Sequence, residues 1–290
     1  MSMHGKVVLV TGSNVGIGLE TAVGVAALGA TTVLACRNTA KAEDAAKEVT
    51  QRTWNDDVHV VPLDLADLAS VKEAAEDVLS RWDRLDVLVN NAGGTWSERR
   101  LTAQGFEYTF GVNHLGPFYL TNLLLPRLRD DAPSRIVNVT SVGHHAAWHG
   151  MRFDDLQSER RYEGMEAYGR SKLANILFAR ELARREAGTG VTANAAHPGS
   201  VRSSFGMDGD TTGITGFGMR VIRPLQIGPT RGARTSIYLA TSPEVEGRSG
   251  MYWVRCQPGH MSRQARDVEA AARLWDESEK LLASVGYAIL

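Results

Sequence analysis

Two side chains four positions apart could move a proton. Tyr168 and Lys172 lie in the stretch AYGRSK of residues 167–172. On a helix, residues at this spacing share one face. A nearby ammonium favours the phenolate and lowers the tyrosine pKa from its reference value of about 10. We therefore expect Tyr168 to act as a general acid or base near neutral pH, although an isolated pair of this kind is more often a surface pair on an amphipathic helix.

A glycine-rich turn, TGSNVGIG at residues 11–18, separates an apolar run from a helical pattern near the N-terminus. Glycines let a pyrophosphate approach the backbone, and a helix N-terminus offers free N–H groups. The spacing differs from G-x-G-x-x-G, so a lone match could be an ordinary turn. We predict that six residues of this turn bind a dinucleotide: Gly12, Ser13, Asn14, Gly16, Ile17 and Gly18.

The end of the second apolar run bears on the choice of cofactor. It reads ACRN at residues 35–38, and the next acidic residue is Glu43. An acidic side chain at this place would bind the ribose 2′-hydroxyl of NAD, whereas an arginine accommodates the 2′-phosphate of NADP. Arg37 and Asn38 therefore favour NADP(H) over NAD(H); the alternative is that Arg37 is a solvated surface residue.

Polar residues follow the third and fourth apolar runs as well. After the third come Asp64 and Leu65, where a carboxylate could accept a hydrogen bond from the adenine amino group or could cap the next helix. After the fourth come Asn91, Ala92 and Gly93. An asparagine amide can bridge neighbouring strands and Gly93 would let backbone approach a ribose, or the segment could be a plain turn.

Two further residues are candidates because of where they fall. Asn113 lies inside an apolar helical pattern, where asparagine is a poor helix former. It could mark a kink that holds a water, or it could be a buried amide with its hydrogen bonds made. Ser141 ends the fifth apolar run and could donate to a substrate carbonyl oxygen, although alone it would be an ordinary loop serine.

The elements that must position these residues alternate along the chain. We predict strands at residues 6–10, 31–35, 58–62, 87–90, 135–139, 191–196 and 251–254, and helices at 16–28, 40–50, 68–81, 105–128, 164–185, 229–241 and 264–282. This alternation indicates a parallel sheet covered on both faces. We predict one α/β domain, residues 1–290, with a Rossmann-type doubly wound parallel sheet of about seven strands, and a substrate lid at residues 201–228.

Composition excludes several classes of function. The 290 residues are 43% hydrophobic and carry a net charge of −1 without a long basic run, so nucleic acid is a poor partner. No apolar run reaches the roughly 18–20 residues of a membrane helix, and we expect a soluble cytoplasmic protein without a membrane anchor. We expect the two cysteines to be reduced, and we predict no metal, because no third ligand stands at metal spacing from His145 and His149.

Taken together, these motifs resemble the short-chain dehydrogenase/reductase family from about Lys6 to Val254. The resemblance rests on the glycine turn, the NNAG segment at 90–93, the HPG segment at 197–199 and four single residues, Asn113, Ser141, Tyr168 and Lys172. It implies that Tyr168 is the catalytic acid or base, that Lys172 binds the nicotinamide ribose and lowers the tyrosine pKa, that Ser141 polarises the substrate carbonyl, and that Asn113 holds a proton-relay water.

The resemblance implies further cofactor contacts near residue 200. Pro198 and Gly199 would lie against the nicotinamide and Val201 would contact its carboxamide, whereas Ser203 stands where relatives often have a threonine. The sequence is most similar to the retinol-dehydrogenase and WW-domain-oxidoreductase-like members, which commonly prefer NADP(H). Relatives often form dimers or tetramers through the helix that carries the tyrosine; the last helix of this chain could pack on its own domain or on a partner.

These features favour reversible hydride transfer between NADP(H) and a small-molecule carbonyl or alcohol. Seven apolar residues could line a pocket for a lipophilic substrate or could simply pack the loops: Trp148, Met151, Phe153, Phe205, Met207, Phe217 and Met219. One alternative is an NADP(H)-binding regulatory or scaffold protein, against which the complete set of catalytic residues argues. Another is an epimerase or dehydratase of the extended relatives, whose glycine spacing and larger C-terminal domain do not match.

Overall fold

Eight strands form one twisted sheet. The structure is a computed structural model that describes residues 2–201 and 227–289. The strands are β1 Val7–Thr11, β2 Thr31–Cys36, β3 Val58–Pro62, β4 Val87–Asn90, β5 Ser134–Val139, β6 Val191–His197, β7 Tyr252–Val254 and β8 Gln257–Pro258. Their order across the sheet is β3-β2-β1-β4-β5-β6-β7-β8. All pair in parallel except β8, which runs antiparallel to β7. The predicted doubly wound parallel sheet is confirmed, with β8 as an additional strand too short to leave a sequence pattern.

Helices connect the strands and largely follow the predicted positions. They are α1 Gly16–Ala26, α2 Thr39–Thr53, α3 Leu68–Arg81, α4 Tyr108–Phe110, α5 Gly116–Asp130, α6 Gly164–Arg185, α7 Pro229–Thr241 and α8 Val268–Ser284. The predicted helix at 105–128 is interrupted, because the π-helical turn Gly111–Leu115 separates α4 from α5. The predicted helix at 264–282 is divided as well, because a 3-10 turn, Gln264–Arg266, precedes α8. Asp267 caps the N-terminus of α8.

The sheet is buried on both faces because consecutive strand residues point in opposite directions. In β1, Val7 and Leu9 join a core cluster shared with α3, α5, α6 and α8. Their neighbours Val8 and Val10 join a second cluster that includes residues of α1 and α7. The continuous apolar run of β1 is therefore the sequence signature of a central strand with helices on either side.

The last helix packs on its own chain. The Trp275 ring of α8 lies 4.9 Å from the Phe118 ring and 5.8 Å from the Phe178 ring, measured between centroids. The guanidinium carbon of Arg185 lies 4.3 Å from the centre of the Trp275 ring. Helix α8 thus covers the outer surface of α5 and α6. Of the two alternatives left by the sequence, the structure shows packing of the last helix on its own domain.

The topology opens a crevice at the carboxyl edge of the sheet. Strand β1 lies between β2 and β4, so the connections leave β1 and β4 toward opposite faces, and ligands bind at such switch points in α/β sheets. The predicted lid at 201–228 falls almost entirely on residues 202–226, which lie outside the described residues. Within the described ranges, no helix has both the length and the apolar character needed to cross a membrane.

Candidate active site

The glycine turn lies at the switch point and opens α1. Gly12 has a φ of +62°, which a residue with a side chain rarely adopts. A Cβ at Gly18 would overlap the carbonyl oxygen of Gly12 and come within 2.5 Å of Asn91 Nδ2. Val15, at the N-cap of α1, makes no side-chain cap, so the first N–H groups of the helix are left for an anion. The turn therefore fits a nucleotide phosphate.

Individual residues of the turn differ in their surroundings. The Ser13 hydroxyl is buried and donates to the carbonyl of Val10, at 2.8 Å, so its side chain serves the fold. Ile17 and Val201 meet near Gly232, where an added Cβ would lie 3.3 Å from Ile17 Cγ1 and 2.6 Å from Val201 Cγ2. The turn after β1 and the segment after β6, which are distant in sequence, thus border the same crevice.

The end of β4 is bound to the end of β1. Asn91 donates through Nδ2 to the carbonyls of Thr11, at 2.8 Å, and Gly12, at 3.2 Å. The backbone N–H groups of Asn91 and Ala92 both donate to the Thr11 hydroxyl, at 3.0 Å. Asn90 bridges in the other direction, toward Asn138 of β5. The bridging role considered for these asparagines is confirmed, and Thr11 is a participant that its type alone did not single out.

Arg37 lies at the carboxyl end of β2, and its guanidinium is exposed. Nη1 donates to the hydroxyl of Tyr108, at 3.1 Å, on the far side of the crevice. Asn38 caps α2, because its Oδ1 accepts from the N–H of Lys41 at 3.0 Å. A guanidinium beside a helix N-terminus is a suitable place for a phosphate.

Asp64 and Leu65 have structural partners. One carboxylate oxygen of Asp64 accepts from the N–H of Ala66, at 2.9 Å, which makes a local turn. The cap of α3 is Asp67, which accepts from Ala69, so the alternative that Asp64 caps this helix is wrong. Leu65 is buried in the core, 5% exposed. The adenine contact considered for Asp64 stays a prediction.

Asn113 sits in the π-helical turn with its amide fully engaged. Its Oδ1 accepts from the N–H of Gly94, and its Nδ2 donates to the carbonyl of Gly94 and to the hydroxyl of Ser171, each at 2.8 Å. A Cβ at Gly93 would lie 2.9 Å from Asn113 Oδ1 and 3.2 Å from Lys172 Nζ. The helix is distorted at this residue and the amide has its hydrogen bonds made, whereas the proton-relay water stays a prediction.

The side chains of Ser141 and Tyr168 come together beside Gly143, close enough to interact. Ser141 has an extended backbone and caps a 3-10 turn, Val142–Ala146, with its hydroxyl accepting from Gly143 N at 3.0 Å. A Cβ at Gly143 would lie 2.9 Å from Tyr168 Cε1, so the turn packs directly on the phenol ring. Residues 27 positions apart in sequence thus come together in the crevice.

Burial raises the pKa of Tyr168, and the hydrogen bond to Ser141 offsets this only in part. The sequence-based expectation of a lowered pKa is therefore wrong for these protein groups by themselves. The physical reason is desolvation of the buried phenol, which disfavours the phenolate. Lys172 Nζ, which lies 5.6 Å from the centre of the Tyr168 ring, is buried as well. Near neutral pH the phenol holds its proton.

Lys172 is 4% exposed, which is unusual for a lysine. Its Nζ donates to the carbonyl of Val139, at 3.3 Å, and the amide of Asn175 donates to the same oxygen, also at 3.3 Å. Burial lowers the pKa of Lys172 to about 8. The Thr140 hydroxyl donates to the Lys172 carbonyl at 2.8 Å, so the end of β5 is fastened to α6 on either side of the ammonium.

The segment after β6 completes this edge of the site. Gly199 has a φ of +89°, and Pro198 and Val201 are half-buried. Val201 pairs with Ile227 in an isolated parallel bridge. Ser203 lies outside the described residues. His197 is buried, and burial lowers its pKa to about 4, so it is neutral at physiological pH.

The structure adds residues that the sequence patterns did not single out. Ser171 accepts from Asn113 and donates to the carbonyl of Tyr168, at 2.8 Å, and so links two catalytic candidates. Asn175 and Thr140 hold α6 against β5. Their partners Asn113, Val139 and Lys172 lie 32 to 58 positions away along the chain, so no local pattern points to them.

As a whole, the crevice combines a protonated phenol, a hydroxyl beside it, a buried ammonium and an ordered amide. Such a set can donate a proton to, and polarise, an oxygen atom placed between the phenol and the hydroxyl. Across from it lie the glycine turn and the N-terminus of α1, which suit a dinucleotide phosphate. The arrangement is that of a site for oxidation or reduction at a carbon–oxygen bond.

Comparisons with known proteins agree with this geometry. A family model described as short chain dehydrogenase matches residues 6–153. The chain is 45% identical to retinol dehydrogenase 12 of Mus musculus over 282 residues, which cover 97% of this chain and 88% of that protein. It is 43% identical to retinol dehydrogenase 14 of Homo sapiens, over 97% of this chain and 87% of that protein.

Solved structures show the same fold. A crystal structure of an uncharacterized protein from Mycobacterium Paratuberculosis has a TM-score of 0.78 and 37% identity, and the alignment covers 100% of this chain and 96% of that one. The Pseudomonas aeruginosa RhlG/NADP active-site complex has a TM-score of 0.68 and 27% identity, with 87% and 94% covered.

Proposed function

This chain belongs to the short chain dehydrogenase family, as an oxidoreductase that resembles the retinol dehydrogenases, and we propose that it reduces a lipophilic carbonyl compound with NADPH, Tyr168 being the proton donor. The observation that carries the proposal is the meeting of Tyr168 with Ser141 at the end of β5, beside the buried Lys172. This pairing supplies a proton and a hydrogen bond at one point of the crevice.

Each residue has a distinct part in this chemistry. When bound, the nicotinamide supplies or accepts the hydride. The Ser141 hydroxyl donates a hydrogen bond to the substrate carbonyl oxygen, and the Tyr168 hydroxyl gives that oxygen its proton as negative charge develops there. Lys172 holds a positive charge near the phenol and favours the phenolate that remains. Asn113 keeps Gly94 and Ser171 in place, and Ser171 in turn holds the Tyr168 carbonyl.

The protonation state of Tyr168 supports reduction as the favoured direction near neutral pH. Because burial raises the pKa of this phenol, the proton needed for reduction is present, whereas oxidation of an alcohol requires the phenolate. We expect kcat/KM for carbonyl reduction to stay level through neutral pH, and kcat/KM for alcohol oxidation to rise with pH. The reverse pattern would contradict the assignment of Tyr168 as the proton donor.

Arg37 supports NADP(H). Its guanidinium is exposed at the end of β2, two residues before the first residue of α2. A 2′-phosphate at this point would replace Tyr108 as the partner of Arg37. The residues of the glycine turn, with Gly18 pressed against the Gly12 carbonyl, would hold the pyrophosphate.

The substrate proposal rests on apolar side chains that stand exposed next to the catalytic pair. Val142, directly after Ser141, is 54% exposed, and Met165, one helical turn before Tyr168, is 39% exposed; Trp148 is 76% exposed. Met151 is buried in the core and Phe153 packs against it, and both residues also line a cavity beside Leu173 and Leu177. The two interpretations are therefore compatible for this pair. The remaining pocket candidates, Phe205, Met207, Phe217 and Met219, lie outside the described residues.

The catalytic proposal is tested with a panel of lipophilic aldehydes and ketones and NADPH; retinal is the first member because several relatives are named retinol dehydrogenases. Tyr168→Phe should lower kcat by roughly 100-fold or more, the usual contribution of an acid–base group. Its dissociation constant for NADPH should stay within about threefold of the wild-type value. Equal rates in the two proteins would remove the acid–base assignment, and a protein that binds NADPH without turning over any carbonyl would support a regulatory or scaffold role.

Cofactor choice is tested by titrating NADPH and NADH separately, with nucleotide fluorescence as the readout. Loss of a charge-assisted hydrogen bond costs about 1.5–3 kcal/mol, so Arg37→Ala should weaken NADPH binding by roughly 10- to 150-fold and leave NADH binding nearly unchanged. Tyr108→Phe is the matched control, since it keeps the guanidinium and removes only the hydroxyl to which Arg37 donates. Equal affinity of the wild type for NADPH and NADH would exclude Arg37 as the phosphate reader.

A further inference from the structure

A buried imidazole stands directly behind Ser141 and uses both of its ring nitrogens. His144 is 1% exposed. Its Nδ1 lies 2.7 Å from the carbonyl oxygen of Ser141, and its Nε2 lies 3.4 Å from the backbone nitrogen of Ser262. The N–H of Ser262 can only donate, so Nε2 is the acceptor and the ring proton is on Nδ1. These partners assign the neutral Nδ1–H tautomer to His144.

This tautomer fixes the backbone of Ser141 from two sides. The Ser141 carbonyl accepts from the ring Nδ1–H and also from the backbone N–H of His144, at 3.1 Å. On the other side of the same residue, the Ser141 hydroxyl accepts from the backbone N–H of Gly143, at 3.0 Å, and lies beside Tyr168. With its carbonyl held, the backbone of Ser141 is fixed, and this sets the point from which its hydroxyl extends toward the phenol.

The other ring nitrogen leads to the C-terminal part of the chain. Ser262 follows β8, and its hydroxyl accepts from the N–H of Ala265, at 3.2 Å. Two more hydrogen bonds fasten the same segment: Gln264 Nε2 donates to the carbonyl of Trp148, at 2.7 Å, and Arg180 of α6 donates to the carbonyl of Ala265, at 2.9 Å. Residues 262–265 therefore form a brace between the turn after Ser141 and helix α6.

The surroundings of His144 favour its neutral form. Its ring lies tilted against that of His145, with 4.1 Å between centroids, and makes an edge contact with Tyr252 of β7, at 5.4 Å. Tyr252 stacks in turn on His197 of β6, at 6.1 Å, and the charge of Arg255 reaches His197. The titratable and charged groups around the ring among the described residues thus include no carboxylate that would stabilise an imidazolium. Burial lowers the pKa of His144 accordingly.

We propose that His144 is a positioning residue, which holds Ser141 through Nδ1–H and couples it through Nε2 to the C-terminal brace. It contacts neither substrate nor cofactor; it acts through the orientation of the Ser141 hydroxyl. This inference rests on the proposed function for its kinetic consequences, whereas the tautomer and the coupling are properties of the folded chain.

The kinetic test compares two substitutions that each keep one half of the imidazole. In His144→Asn the side-chain amide nitrogen lies near the place of Nδ1 and can still donate to Ser141. In His144→Gln an amide oxygen lies near the place of Nε2 and can accept from Ser262, but the donor to Ser141 is gone. His145→Asn is the matched control, because the neighbouring ring is exposed and lies tilted against His144.

We expect His144→Gln to lower kcat by roughly 100-fold, the usual effect of misplacing a catalytic group by about 1 Å. His144→Asn should lose less than about tenfold and His145→Asn should be close to wild type. The NADPH dissociation constant should be unchanged in all three. A wild-type kcat in His144→Gln, or equal losses in the Asn and Gln variants that parallel their loss of stability, would overturn the proposal.

A second measurement needs no turnover and so separates failure of this proposal from failure of the proposed function. Nitrogen-15 NMR of protein labelled at histidine, with the His144 resonances identified from the His144→Asn spectrum, reports which ring nitrogen carries the proton at pH 7. Protonated Nδ1 with unprotonated Nε2 is expected. A protonated Nε2, in either the neutral or the charged ring, would overturn the assignment even in a fully active enzyme, whereas an inactive protein with the expected tautomer would contradict only the proposed function.

Discussion

Replacing Lys172 with methionine should stabilise the cofactor-free protein while it impairs catalysis. The ammonium is 4% exposed, and burial lowers its pKa from 10.5 to about 8. Each pKa unit corresponds to about 1.36 kcal/mol, so at pH 7 the charge destabilises the folded state by about 3 kcal/mol. The amine also donates to Val139, and losing that hydrogen bond costs about 1 kcal/mol. The net expectation for Lys172→Met at pH 7 is a gain of about 2 kcal/mol in unfolding free energy.

The pH dependence makes this expectation specific to the buried charge. Between pH 8 and 10.5 the unfolded chain binds the lysine proton more tightly than the folded protein does, so the wild type gains stability as pH rises. From pH 7 to pH 9.5 the penalty falls by about 2 kcal/mol, and the advantage of Lys172→Met should shrink to about zero. The measurement is urea unfolding of both proteins at the two pH values, followed by tryptophan fluorescence.

Lys72→Met removes a lysine that is 55% exposed on α3, and its effect should stay within about 0.5 kcal/mol at both pH values. If Lys172→Met differs from wild type by the same amount at pH 7 and pH 9.5, the buried-charge argument is refuted. A clear loss of stability at pH 7 would show that the contacts of the amine outweigh its desolvation. A buried charge kept at such a cost would be a trade of stability for activity.

Three other changes test the architecture of the site. Gly18→Ala should lower the unfolding free energy by about 1–3 kcal/mol and abolish the thermal shift caused by NADPH, because the new methyl group would overlap the Gly12 carbonyl. Gly228→Ala is the control: this position has open space, so the thermal shift should remain. Asn113→Ala removes three hydrogen bonds of a fully buried side chain and should lower the unfolding free energy, measured in urea, by about 2–4 kcal/mol, with a parallel fall in kcat. Unchanged unfolding would mean that water replaces the amide. Trp275→Ala should lower the unfolding free energy by about 3–5 kcal/mol. It should also uncover Phe118 and Phe178 and so increase self-association, which analytical ultracentrifugation measures. A variant as stable as wild type would mean that α8 contributes little to the core.

Local patterns were enough to place most elements of this fold. The bounds of α3, α6, α7, β3 and β4 follow from apolar periodicity and capping residues, because those signals act over a few residues. The same holds for the glycine turn, where a strand, a tight turn and a helix succeed one another. The π-helical turn at Gly111–Leu115 could not be read in this way, since its amide partners, Gly94 and Ser171, lie 19 and 58 positions away.

The sequence by itself determined which residue types reach the carboxyl edge of the sheet: a parallel sheet brings every strand end to one side, so Ser141, the asparagines after β4 and the glycine turn had to gather there. Only the tertiary structure decided what those residues experience. The raised pKa of Tyr168, the depressed pKa of Lys172 and the brace from Ser262 through His144 all arise from burial and from contacts between distant segments. Desolvation is a property of the surrounding packing, which a local pattern does not encode.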